Sequence, residues 1–231
     1  MVSNTTIAVD ELRLDRDGAQ LFRAVATAET VEAIGQALAG RPTDQAGVRL
    51  YGLTALRPFI EAGGPIGAIA ASNMVGAPRP VRAILFDKTA AANWSLAWHQ
   101  DRVVAVNERI EVEGFGPWTR KHGALHVAPP FEVLAAVTTL RFHLDAAAEA
   151  NAPLLIAPGS HRLGRISESD VPKVVEMCGI VSCHADVGDA WLYATPILHA
   201  SDAARQPVHR RVLQVDYAVG DLPGGLEWLG V

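Results

Sequence analysis

The chain has 231 residues, of which 49% are apolar and 19% charged, with a formal net charge of -5. Those values describe a folded protein with a full hydrophobic core and exclude a disordered or fibrous chain. The acidic balance, with a pI of about 5.9, argues against a nucleic-acid partner. No apolar run reaches the ~18 residues needed to span a membrane.

Met1 to Asp10 is polar and lacks a basic stretch followed by an apolar one, so no signal peptide is expected. The next seventy residues carry alanine-rich helical patterns. Thr30 is placed to cap a helix over Val31–Leu38, stopped by Gly40. Thr54–Ala62 reads as a second helix, and Pro65–Met74 as a third that begins on proline and ends before Gly76. Near residue 80 the pattern changes to short apolar runs divided by Gly and Pro. The predicted strands are Val81–Phe86, His99–Val106, Val133–Leu144, Pro153–Ile156, Ile180–His184, Ala190–Thr195 and Arg211–Tyr217. The segment between them from Glu111 to Pro130 reads as a long loop, with Phe115 and Trp118 as candidate lid residues over a substrate. The expected architecture is therefore one mainly β domain with flanking helices. A helical layer over about residues 1–80 covers a jelly-roll core over about 81–220. Cys178 and Cys183 are too few for a disulfide framework and read as buried thiols. A reduced, cytoplasmic protein is the simplest reading, and the sequence says nothing of its oligomeric state.

Eight histidines are present, so a metal cluster has to be argued from spacing. His99-Gln100-Asp101 sets an imidazole and a carboxylate two residues apart, which on a strand sends both to one face. His184-Ala185-Asp186 has the same form, and the pattern alone does not choose between them. Context favours the first. A facial site needs a third ligand from a distant strand. His199 lies 199 − 101 = 98 residues beyond Asp101 but only 199 − 186 = 13 beyond Asp186. Asp186-Val187-Gly188-Asp189 looks like the turn that launches the strand toward His199, which makes His184 a structural residue.

Two imidazoles and one carboxylate leave three positions open on an octahedral ion, the arrangement of non-haem iron(II) oxygenases, whereas zinc prefers a tetrahedral set. Open neighbouring positions suit a chelating 2-oxo acid and dioxygen, so Fe(2+), 2-oxoglutarate and O2 are the expected cofactors. The far carboxylate of 2-oxoglutarate calls for a guanidinium. Arg210 lies 210 − 199 = 11 residues past His199, Ser201 two past it, and of Arg210 and Arg211 only one can face inward on a strand. A cupin-like metalloprotein doing non-redox work, as an isomerase or hydrolase on the same metal site, is the competing reading.

Taken together, Trp98-His99-Gln100-Asp101, Pro153-Leu154-Leu155-Ile156-Ala157-Pro158-Gly159-Ser160-His161, Gly188-Asp189, His199-Ala200-Ser201 and Arg210 resemble the phytanoyl-CoA dioxygenase family, which includes ectoine hydroxylase. The resemblance runs over roughly Val81 to Tyr217. It implies a double-stranded β-helix, iron on His99, Asp101 and His199, and 2-oxoglutarate on Ser201 and Arg210. It also implies hydroxylation of a C–H bond in a small-molecule substrate, with succinate and carbon dioxide as co-products. Asp101 favours hydroxylation over halogenation, since halogenating relatives lack that carboxylate. There are two departures. The Asn-Gly pair that often precedes the Pro-Gly-Ser-His turn is Asn151-Ala152 here. A tryptophan that some members use on the strand matching Thr138–Leu144 is replaced by Arg141, which shares a face with Thr139 and His143 and is a further candidate for 2-oxoglutarate or an anionic substrate.

Overall fold

The computed structural model describes residues 9–42 and 44–231; the polar start of the chain lies, up to residue 8, outside them. The first third holds α1 (Leu14–Asp17), β1 (Ala19–Phe22), α2 (Ala28–Ala37), β2 (Val48–Leu50), α3 (Arg57–Ile60) and α4 (Gly67–Asn73). Then come β3 (Pro78–Lys88), β4 (Leu96–His99), β5 (Val104–Val106), β6 (Trp118–Lys121), β7 (Ala124–Val127), α5 (Phe131–Ala135) and β8 (Thr138–His143). The last third adds β9 (Leu154–Ile156), α6 (Val171–Cys178), β10 (Val181–Cys183), β11 (Ala190–Ala194), β12 (His199–Ser201) and β13 (Arg210–Val219).

The strands form a jelly roll. Its major sheet is antiparallel in the order β1-β11-β8-β13-β3-β2, its minor sheet runs β10-β9-β12-β4, and β5-β7-β6 make a small third sheet. Strand β13 shows why the layers stack as they do. Leu213, Val215 and Tyr217 alternate with Val212, Gln214 and Asp216, and successive side chains of a strand point to opposite faces. The first set joins Ala83, Leu85, Leu140, Phe142 and Leu192 in one core cluster with Ile34, Leu56, Ile60, Ile66 and Ile69 of the N-terminal helical segment. Burial of such apolar side chains stabilises by roughly 1.5–3 kcal/mol each. The apolar face of the sheet is therefore its outer one, and the polar face lines the interior of the roll.

The polar face is arranged in cross-sheet rows, because residues paired across strands share a face. Trp191 pairs Arg141, Arg141 pairs Gln214, Gln214 pairs Ile84 and Ile84 pairs Arg49. The neighbouring row is Tyr193, Thr139, Asp216 and Arg82. At the other end Lys88 pairs Arg210.

Several elements differ from the sequence-based expectation. The N-terminal segment is not helical throughout: β1 and β2 form the two edges of the major sheet. Helix α2 starts earlier than expected, because the Thr27 hydroxyl accepts the Thr30 N–H at 3.3 Å and so caps the first turn. The expected strand Val133–Leu144 is helical at its start. Glu132, Leu134 and Ala135 are helix formers, and the β-branched run begins only at Val137-Thr138-Thr139. The expected loop Glu111–Pro130 contains the hairpin β6–β7, turned by His122 and Gly123, both with positive φ (50° and 82°), as a two-residue hairpin turn requires. Phe115 and Trp118 pack in a core cluster with Val104, Val127 and Leu134, so they pin this segment down rather than cover a site. Helix α6, which the sequence did not suggest, buries Val171 and Val175 against Ala157, Ile166 and Leu198. Among the described residues no helix is long and apolar enough to cross a membrane.

Candidate metal centre

His99, Asp101 and His199 converge. One ligand atom from each lies within 4.8 Å of the others, the one such cluster of three or more among the described residues. The strand argument needs a correction in detail, since β4 ends at His99 and Asp101 lies beyond it. The alternation nevertheless persists through Gln100, whose side chain leaves in the opposite direction. Its amide donates to the carbonyls of Pro196 (2.8 Å) and Gly164 (3.0 Å) and accepts from the Ile166 N–H (2.9 Å). Gln100 thus ties the first two ligands to the turn that leads into the third. His99 pairs His199 directly across β4 and β12, with ring centroids 4.3 Å apart. From the other side Ser160 donates to the Ala157 carbonyl (2.7 Å) and accepts the Leu198 N–H (2.9 Å), which holds β12 against the Pro158-Gly159 turn. Replacing Gln100 by Leu removes these three bonds without touching a ligand. Support of this kind is worth about 10- to 100-fold in metal affinity. The expected result for Gln100→Leu is a loss of about tenfold at the low end of that range, read by competition against a chromophoric chelator.

Tautomers prepare both imidazoles for an ion. Nδ1 of His99 lies 2.8 Å from the Ala97 carbonyl and Nδ1 of His199 lies 3.0 Å from that of Ile197. A carbonyl only accepts, so Nδ1 carries the proton and Nε2 keeps its lone pair. Burial, reinforced by His99, pushes the His199 pKa down to about 4, so it is neutral at pH 7. Burial acts to raise the Asp101 pKa, but Arg82, with help from the two histidines, outweighs it and holds the carboxyl at about 2. Arg82 reaches Asp101 at 3.0 Å and the buried Asp216 at 2.5 Å. This donor set fits a divalent ion with three positions left open. His184 is elsewhere, paired with Glu149 at 3.2 Å, and Asp186 is 87% exposed; neither belongs to the centre.

A cavity of about 1000 Å³ opens over the three ligands, bounded by Trp94, Trp98, Ile84 and Phe86. Its inner end is cationic. Arg210 is 2% exposed, donates to the Ala152 carbonyl and has an Nε with no partner. Burial first, then Arg141, lowers its pKa to about 9. Arg211, one residue on, points the other way and pairs Asp145 at 2.8 Å. Arg141 is buried under Phe86, 5.0 Å from the ring centroid, and donates to Gln214 at 2.9 Å. Ser201 also lines the cavity. Of the neighbours of Arg141 on its strand, Thr139 is tied to Thr195 and Asp216, and His143 is buried without lining the cavity.

Sequence reasoning missed Lys88. It is fully buried, its ammonium donating to Ser201 Oγ (3.2 Å), to the Trp94 carbonyl (2.8 Å) and to the Asp202 carbonyl. Burial, then Arg210, brings its pKa down to about 8. No carboxylate lines the cavity beside Arg210 and Arg141, and the Nε of each is without a partner, so an anion could be taken there. Ala152, whose carbonyl Arg210 holds, has φ 51° and ψ 70°, a left-handed conformation that glycine adopts freely. Ala152→Gly is expected to stabilise by about 0.5–1 kcal/mol. That corresponds to a rise of roughly 2 °C in the unfolding midpoint.

A family model for phytanoyl-CoA dioxygenase (PhyH) matches residues 14–212. No curated protein matches the chain. Among solved structures, apo EctD from S. alaskensis aligns with a TM-score of 0.65 at 18% identity, covering 94% of this chain and 78% of that one. The epimerase SnoN from nogalamycin biosynthesis gives 0.64 at 15% identity, covering 92% and 88%. HygX from Streptomyces hygroscopicus, with nickel and 2-oxoglutarate bound, gives 0.60 at 14%, covering 89% and 84%. At such identities the likeness bears on the fold.

Proposed function

Since the chain belongs to the phytanoyl-CoA dioxygenase family, we propose that it is an iron(II)- and 2-oxoglutarate-dependent oxygenase that hydroxylates a C–H bond of a small metabolite. The observation that carries this reading is the pairing of the two ends of one cavity. At one end stand His99, Asp101 and His199; at the other stand Arg210, Arg141 and Ser201, and neither guanidinium is paired with a carboxylate. A chelating 2-oxo acid with a second carboxylate uses both ends at once. Structures of EctD with 2-oxoglutarate and 5-hydroxyectoine and of HygX with nickel, 2-oxoglutarate and hygromycin B are in keeping with it.

In this reading the three side chains hold Fe(2+), and Arg210 and Ser201 receive the far carboxylate of 2-oxoglutarate, with Lys88 behind Ser201 donating to its hydroxyl. Bound iron and 2-oxoglutarate supply the oxidising chemistry from O2, with succinate and carbon dioxide released. The chain's own residues bind, orient and exclude water. Nδ1–H of each histidine stays on its backbone carbonyl, which keeps both rings neutral and fixed. Arg82 keeps Asp101 ionised as a ligand. An arriving carboxylate offsets the burial that weighs against the charge of Arg210. Arg141, oriented by Gln214, stands beside the same anion as a further contact. The tryptophan and phenylalanine walls take the body of the substrate. Both cysteines are free, which suits a reducing cytoplasmic compartment.

The test is anaerobic titration with Fe(2+) and then 2-oxoglutarate, followed by a succinate-release screen in air across substrate classes. The expected result is 2-oxoglutarate binding that requires the metal, seen as a visible charge-transfer band. A protein that binds the metal and ignores 2-oxoglutarate would return the site to non-redox chemistry.

A further inference from the structure

The charges at the mouth of the cavity exceed what metal and co-substrate need. Arg49, on edge strand β2, pairs Ile84 and so points to the inner face in the row that also holds Gln214 and Arg141. Its guanidinium makes no ion pair among the described residues. Its Nε is buried without a partner, and Nη1 reaches only the Gly47 carbonyl at 3.4 Å. Burial, then Arg82, lowers its pKa below the ordinary guanidinium value. An uncompensated, half-buried cation is unfavourable unless a ligand completes it.

Arg49 also stands where two cavities meet. A second cavity of about 290 Å³ lies between the β2 edge and the β6–β7 hairpin, and it shares Arg49 and Arg82 with the metal cavity. Its other polar walls include Arg120, His122 and the buried His126, and no Asp or Glu lines it. In a chain whose net charge is -5, a chamber that carries Arg49 and Arg120 and no acidic residue beside the metal site is a selective feature. Of the other cations nearby, Arg120 and Lys121 are exposed on the β6–β7 hairpin, where water solvates them. Arg82 is held by Asp101 and Asp216, and Arg102 lies 3.7 Å from Glu168 at the rim.

We infer that the primary substrate carries an anionic head group, a carboxylate or a phosphate monoester, that docks on Arg49 at the junction of the two cavities while the carbon to be oxidised lies over the metal. A planar fork of donors suits either oxyanion. With Arg141 and Arg210 assigned to the co-substrate, Arg49 is the unpaired cation out of bulk water that is left for the substrate, so the inference rests on the 2-oxoglutarate reading.

The test uses the whole protein loaded with Fe(2+) and 2-oxoglutarate, and a panel of matched triplets in which one carbon frame carries a carboxylate, a phosphate ester or a neutral carboxamide. Succinate release by the wild type is expected to be stimulated by charged members and not by their carboxamides, and the head group that stimulates identifies the class. In Arg49→Gln the kcat/KM for that substrate is expected to fall at least tenfold, with partial recovery in Arg49→Lys. The anaerobic dissociation constant for 2-oxoglutarate in Arg49→Gln should stay within twofold of wild type, which also reports a folded site. Carboxamides that stimulate as well as the acids, a charged panel that stimulates nothing, or an Arg49→Gln enzyme with unchanged kcat/KM would each overturn the inference. Failure of the wild type to bind 2-oxoglutarate at all would instead strike at the oxygenase reading beneath it.

Discussion

His99→Ala is expected to abolish stoichiometric Fe(2+) binding, and with it any metal-dependent band on adding 2-oxoglutarate, while His184→Ala leaves both at wild-type level. The contrast is sharp because the two His-X-Asp triplets are identical in form and differ only in where the fold puts them. His99 stands 4.3 Å, ring to ring, from His199, with Nε2 free because Nδ1 is committed to a carbonyl. His184 sits on the far side of the minor sheet's edge, 43% exposed and paired with Glu149. Removal of one ligand from a facial set leaves two protein donors on an ion that water solvates well, so binding falls beyond the range of a micromolar titration. Anaerobic equilibrium dialysis with ferrous iron measures it, and retention of iron by His99→Ala with loss in His184→Ala would place the centre at the wrong triplet.

The second large effect is expected at the cationic end. Arg210→Ala removes a charged partner from a buried anion site, worth about 2–3 kcal/mol. That range converts to roughly a 30- to 150-fold rise in the 2-oxoglutarate dissociation constant. Arg211→Ala, adjacent in sequence, breaks a half-exposed pair with Asp145 and is expected to change it less than twofold. Anaerobic titration of the metal-loaded variants distinguishes them. If Arg211→Ala gave the larger rise, the inward face of β13 would have been assigned to the wrong set of residues.

The sequence made the metal ligands legible because their chemistry is rare and their spacing carries geometry. His99 and Asp101 share a side, and the long interval to His199 implies a returning strand. Arg210 was legible for a related reason, as a cation at a fixed interval past a ligand. Lys88 was not. A lysine at the end of a strand reads as a solvent-facing charge, and only the pairing of Lys88 with Arg210 across β3 and β13 turns it inward. Arg49 was hidden in the same way, since β2 has three residues and too little alternation to declare itself. The hairpin β6–β7 escaped notice because Trp118–Val127 mixes basic and apolar residues without a clean period. Helix α6 escaped because it spans only two turns and its valines are poor helix formers, so packing against Ala157, Ile166 and Leu198 rather than propensity holds it.

The alternation along β13 carries a consequence for how this enzyme can change. Its inward residues Arg210 and Gln214 line the metal cavity and its outward residues hold the helices, so one strand serves both purposes in strict turn. Inserting or deleting a single residue within it would swap the two sets at a stroke, turning charges against the helices and leucine toward the ligands. Divergence at this strand can therefore proceed by substitution, whereas the loops and the short β2 edge are free to vary in length. New substrate preferences in descendants of this chain are expected to arise at that edge.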